Sequence, residues 1–189
     1  LLTGRNHHAV GSGSISNVSV DEPGYTSVIP DSAATLGQVL KNNGYDTAWF
    51  GKNHNTPDWE LGPMGPFTHW PSGMGFDYFY GFNAAGTDQA NPPLLENHIG
   101  VRRDPNDPDY IFEKDMADHL LAWMSAQNGS NPDKPFFAYY APGAMHGPQQ
   151  APKEWIDKFK GKFDMGWDVV REQILARQKK MGVVAPDTK

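Results

Sequence analysis

Apolar positions along the chain follow one syntax twice. Leu36, Val39 and Leu40 share a helical face, Pro30-Asp31-Ser32 offers an N-cap ahead of them, and Asn43-Gly44 supplies a stop. That spacing predicts a helix of about three turns. Tyr45-Asp46-Thr47-Ala48-Trp49-Phe50 follows, rich in aromatic residues and closing on Gly51, which predicts a buried strand; Lys52-Asn53-His54 comes next. Further on, Phe112, Met116, Leu120 and Trp123 mark a helix from about 110 to 127, ended by Asn128-Gly129. A turn through Asn131-Pro132-Asp133 then leads into the apolar run Phe136-Phe137-Ala138-Tyr139-Tyr140-Ala141, a second strand, with Gly143-Ala144-Met145-His146 behind it. Val169, Ile174, Leu175 and Met181 trace a charged amphipathic surface helix from 168 to 181 that stops at Gly182.

Alternation of helix and strand implies an α/β fold with a mostly parallel sheet flanked by helices. Ligands of such sheets bind beyond the carboxyl ends of the strands. If both strands share one sheet, Lys52, His54 and His146 lie along the same edge. Between them, residues 55 to 110 interleave prolines and glycines with Trp59, Phe67, Trp70, Phe76, Tyr78, Phe79, Tyr80 and Phe82. A flexible linker would not carry so many rings, so an ordered excursion is expected, packed on the core or walling a pocket.

Composition narrows the function. With 189 residues the chain fits one domain or most of one. Its net charge is −6 with basic residues scattered, which argues against nucleic acid as a partner, and no apolar run is long enough for a membrane span. There are no cysteines, so disulfides and thiolate metal sites are excluded and no redox compartment can be read. Nothing fixes an oligomeric state. Gly11-Ser12-Gly13-Ser14-Ile15-Ser16 lacks the third glycine of a dinucleotide fingerprint, and the Asn-x-Ser sequons at Asn17 and Asn128 carry no weight.

A lysine and two histidines at one crevice supply a fixed cation and two groups that titrate near neutrality, which suits a tetrahedral oxyanion and a departing oxygen in need of a proton. Each also has a plainer reading: a solvated surface lysine, or a loop histidine satisfying a nearby carbonyl. His7-His8 is weaker still, and nothing singles out His69, His98 or His119. No Gly-x-Ser-x-Gly elbow offers a serine nucleophile, and no carboxylate cluster has metal-ligand spacing.

The chain resembles the arylsulfatases of the alkaline-phosphatase-like superfamily. Leu1-Leu2-Thr3-Gly4-Arg5 is similar to the end of the first sulfatase signature, and Gly44-Tyr45-Asp46-Thr47-Ala48-Trp49-Phe50-Gly51-Lys52-Asn53-His54 to the second, with Asn53 where many members have an aromatic residue. His146-Gly147-Pro148 with Ala151-Pro152 resembles a later His-x-Pro segment, and residues 76–82 match in style. The resemblance implies that residues 1–189 are a partial catalytic domain, truncated at both ends, of a sulfuric-ester hydrolase acting on a small-molecule sulfate ester, and inactive alone. By resemblance Lys52 and His146 bind the sulfate oxygens and help protonate the leaving group. His54 contacts the hydroxyls of a formylglycine nucleophile whose Cys or Ser precursor precedes Leu1, and Arg5 supports the helix after that nucleophile. A divalent cation, calcium in most members, is implied with ligands outside this chain. A phosphonate or phosphate monoester hydrolase of the same superfamily and a non-catalytic anion-binding module remain the alternatives.

Overall fold

The computed structural model describes residues 1–104 and 106–189. It divides into two compact units, Leu1–Gln150 and Ala151–Lys189. In the first, helix α1 (Leu36–Asn42) leads into strand β1 (Asp46–Asn53), and strand β2 (Tyr78–Asn83) follows a long excursion. A short pair, β3 (Leu95–Glu96) and β4 (Ile99–Gly100), precedes helix α2 (Phe112–Ser130) and strand β5 (Phe136–Ala141). The sheet has the order β4-β3-β2-β1-β5. β1 pairs in parallel with both β2 and β5, whereas β3 and β4 add an antiparallel edge.

Period-2 alternation divides the core. Trp49, Phe76 and Phe79 join Val10, Ile29 and Met74 on one face, while Ala48, Phe50, Tyr80 and Phe82 meet Phe112 and Met116 of α2 on the other. Coverage of both faces is what parallel strands require, and burying each such aromatic or aliphatic side chain contributes about 1.5–3 kcal/mol. Trp49 anchors one face through edge contacts to Phe76 at 5.1 Å and Tyr139 at 4.8 Å.

Several sequence expectations shift. The residues 30–32 do not cap α1: they form a turn in which Ala33 N–H donates to the Pro30 carbonyl. Thr35 caps it instead, through a reciprocal box with Gln38 (3.2 and 2.9 Å), and its hydroxyl also donates to the Met74 carbonyl. The helix is correspondingly shorter. β1 does not close at Gly51 but runs through Lys52 to Asn53, because Gly51 adopts φ +103° and leaves no side chain to strike Met116 and the Ala141 carbonyl. α2 continues past residues 128 and 129 to Ser130; the largely buried Gln127 then ends it by donating to the carbonyls of Asn131 (3.3 Å) and Lys134 (2.8 Å). The ordered excursion conceals β2, a central strand.

The second unit holds α3 (Lys153–Asp157) and α4 (Trp167–Lys180), the latter close to the expected amphipathic helix. Asp168 in its first turn and Arg177, Lys179 and Lys180 in its last complement the helix dipole.

Candidate functional site

Because β2, β1 and β5 run parallel, Asn83, Asn53 and Ala141 end at one edge of the sheet. Lys52 sits one residue short of that edge, opposite Phe82, half-buried and, among the described residues, in no ion pair. A lysine in that setting keeps its charge available to an anion.

His54 follows β1. Its Nε2 lies 2.8 Å from Asn17 Oδ1, an acceptor, so Nε2 carries the proton and Nδ1 the lone pair. Burial pushes its pKa below the usual 6.5, the Lys52 ammonium and then His146 add to the effect, and Asp58 opposes it. The same field therefore joins His54 to Lys52 and to His146 from the far end of β5. These three sequence candidates come together at one edge.

His146 is exposed, on a loop where Met145 takes φ +79° without being glycine. Its Nδ1 lies 2.8 Å from the Gly147 carbonyl, which only accepts, so Nδ1 holds a proton and Nε2 is the free ring nitrogen.

Behind His54 the chain is fastened by a polar network. Asn53, 1% exposed, donates through Nδ2 to Thr56 Oγ1 and Asn83 Oδ1 (both 2.9 Å) and accepts from the Asn55 backbone and side-chain amides (3.0 and 3.1 Å). Thr56 donates to the His69 carbonyl (2.9 Å). Buried Glu60 grips His69 at both its N–H (3.0 Å) and Nδ1 (2.7 Å), and its own carbonyl receives Trp70 Nε1 (2.6 Å).

The remaining histidines have structural partners. His8 meets Tyr25 (3.2 Å), His98 lies 2.7 Å from Ser72 Oγ and stacks on Phe67, and His119 stacks on Tyr80 and reaches Asp115. His7 and Arg5 line a cavity of about 190 Å³ with Asn55 and Tyr139. Asn17 was missed because nothing local in a sequon reports a partner at position 54. Among the described residues no group of three or more His, Cys, Asp or Glu could hold a metal ion, so the donors here do not fit the cation implied by resemblance.

Lys52, His54 and His146 thus lie at the carboxyl edge of the parallel strands, where ligands of α/β sheets bind. The sulfatase family model matches residues 1–183, and the chain belongs to the sulfatase family. An arylsulfatase of Klebsiella aerogenes is 30% identical over 199 residues, covering 100% of this chain and 40% of that protein. An uncharacterized sulfatase of Schizosaccharomyces pombe is 31% identical, over 97% of this chain and 35% of its own length. The chain thus spans well under half the length of these relatives. Among solved structures, Ps i-CgsB in complex with k-i-k-neocarrahexaose superposes with a TM-score of 0.64 at 25% identity, over 84% of this chain and 36% of that one. A Bacteroides thetaiotaomicron structure described with glycosaminoglycan metabolism gives 0.60 at 23% identity, over 85% and 35%, a likeness of fold. The architecture is the alkaline-phosphatase-like α/β class, with a mixed sheet flanked by helices.

Proposed function

We propose that this chain is the part of a sulfuric-ester hydrolase that grips the sulfate group and serves the departing oxygen. One observation carries the reading: Lys52 and His54 at the end of β1 and His146 beyond β5 stand at the carboxyl edge of two adjacent parallel strands, and among the described residues no carboxylate pairs with Lys52. In this reading Lys52 neutralises charge growing on the sulfate oxygens. His146, its Nδ1 proton held by the Gly147 carbonyl, presents Nε2 outward; as an imidazolium it transfers the Nε2 proton to the alcohol or phenol oxygen as the S–O bond breaks. His54, kept neutral by its surroundings, offers Nδ1 as a proton acceptor during release of sulfate.

The attacking oxygen comes, by resemblance, from a formylglycine preceding Leu1, and the divalent cation belongs to ligands outside residues 1–189. Aryl and alkyl sulfates are the expected substrates, and a sulfated carbohydrate is favoured as a further class by the likeness to Ps i-CgsB. A phosphate or phosphonate monoester is the competing substrate, disfavoured by the sulfatase family match.

The test is turnover of an aryl sulfate beside the matching aryl phosphate by the full-length protein. Lys52→Ala and His146→Ala should each lower the sulfatase rate by roughly 10²- to 10³-fold while the fold survives. Near-normal rates in both variants, or a preference for the phosphate, would sink the reading.

A further inference from the structure

An exposed loop histidine has many rotamers open to it, yet a proton donor loses rate steeply when misplaced by an ångström. The segment carrying His146 is held by contacts from elsewhere in the chain. Ala144 N–H donates to Glu113 Oε1 (2.8 Å) in the first turn of α2. Beyond the histidine, Gln150 joins the loop that follows β2: its Oε1 accepts from Gln89 N–H (2.7 Å) and its Nε2 donates to Asp88 Oδ2 (3.0 Å). Asp88 is itself oriented, since Oδ1 accepts from the backbone of Ala90 and Asn91 (2.8 and 2.7 Å).

Gly86 makes the direct contact. A Cβ built there would stand 2.6 Å from His146 Nδ1, 3.0 Å from Cε1 and 3.1 Å from the Gly147 carbonyl. The bare backbone at 86 is therefore the wall against which the imidazole rests, on the side where Nδ1 meets Gly147. Any side chain would wedge into that hydrogen bond.

We propose that the loop 84–91 is a positioning element for His146, with Gly86 as the wall that sets ring placement and tautomer and the Asp88–Gln150 bridge as the tether. The proposal rests on the sulfate-ester reading for its kinetic consequence; the ring placement itself does not. Gly86, Asp88 and Gln150 are positioning residues, because they act through His146.

The experiment is a double-mutant cycle in the full-length protein with an aryl sulfate as probe. Gly86→Ala should cost roughly 10²-fold in kcat/KM when His146 is present, and less than about threefold in the His146→Ala background, where both ring contacts are gone and only the 3.1 Å approach to the Gly147 carbonyl is left. Asp88→Ala should cost roughly tenfold, and Asp88→Asn nearly as much, because its amide would keep the acceptor for Ala90 and Asn91 but set a donor against Gln150 Nε2, again only with His146 in place. Equal losses in both backgrounds would mean general structural damage and overturn the proposal, as would no loss at all while His146→Ala is crippled. If instead the protein hydrolyses no aryl sulfate, or His146→Ala is fully active, the functional reading has failed and ring nitrogen shifts from ¹⁵N-histidine labelling decide the placement. There Gly86→Ala should abolish the protonated-Nδ1 signature of His146, and unchanged shifts would overturn the wall.

Discussion

At the exit of β1, Asn53 is sealed among Thr56, Asn83 and Asn55, and Glu60 locks the next turn of chain from inside the fold. At the exit of β5, the backbone is open to solvent and His146 is steadied by side chains reaching in from α2 and from the loop after β2. The two exits carry the same kind of group in the same sequence grammar. They differ in what their support also does: the first brace belongs to the core and contributes to stability, whereas the second only locates a side chain.

That contrast breaks most directly in a pair of variants. Glu60→Ala removes the acceptor of the His69 N–H and Nδ1 and should cost about 1–3 kcal/mol in urea unfolding, the usual penalty for leaving a buried donor unsatisfied. Gln150→Ala, on the exposed tether, should stay within about 0.5 kcal/mol of the unchanged protein. Similar losses for both would erase the distinction.

A smaller effect concerns protons at the first exit. His54 has its pKa depressed, first by burial and then by Lys52 and His146. The unfolded chain therefore takes up this proton before the folded one does. Stability present above the unfolded value of 6.5 is lost as pH falls from there through the folded value. Lys52→Met should raise the His54 pKa and shrink that loss, and Asp58→Asn should lower it further, both read from ring shifts in an NMR titration. A downward move with Lys52→Met would show that the two groups do not share a field.

Much of this was written locally. α2, β5 and α4 announced themselves by periodicity and by their turns, and Lys52, His54 and His146 were marked by standing just inside or beyond aromatic strands. β2 was hidden because a strand covered on both faces has no polar alternation, and Tyr78–Asn83 lies among prolines and glycines that read as loop. Thr35 and Gln38 spell a capping box in the sequence itself, three residues beyond the cap expected at 30–32. Asn53, noted in the sequence as a departure at an aromatic position, is the keystone of a buried amide network. Asn17, Gly86, Asp88 and Gln150 acquire meaning only through tertiary contacts, and no window of sequence contains both halves of such a contact.

The register of the sheet also orders events in time. β1 meets β2 with Ala48 opposite Tyr78, but meets β5 with Asp46 opposite Phe136, a far longer loop to close. Loop-closure entropy must be overcome before any ladder bond forms, and folding slows as such separations grow. α1, β1 and β2 should therefore protect their amides in pulse-labelled hydrogen exchange before β5 does; simultaneous protection would count against this order. On that schedule Lys52 and His54 are in place first, and the chain acquires its third basic group only with the last strand to dock.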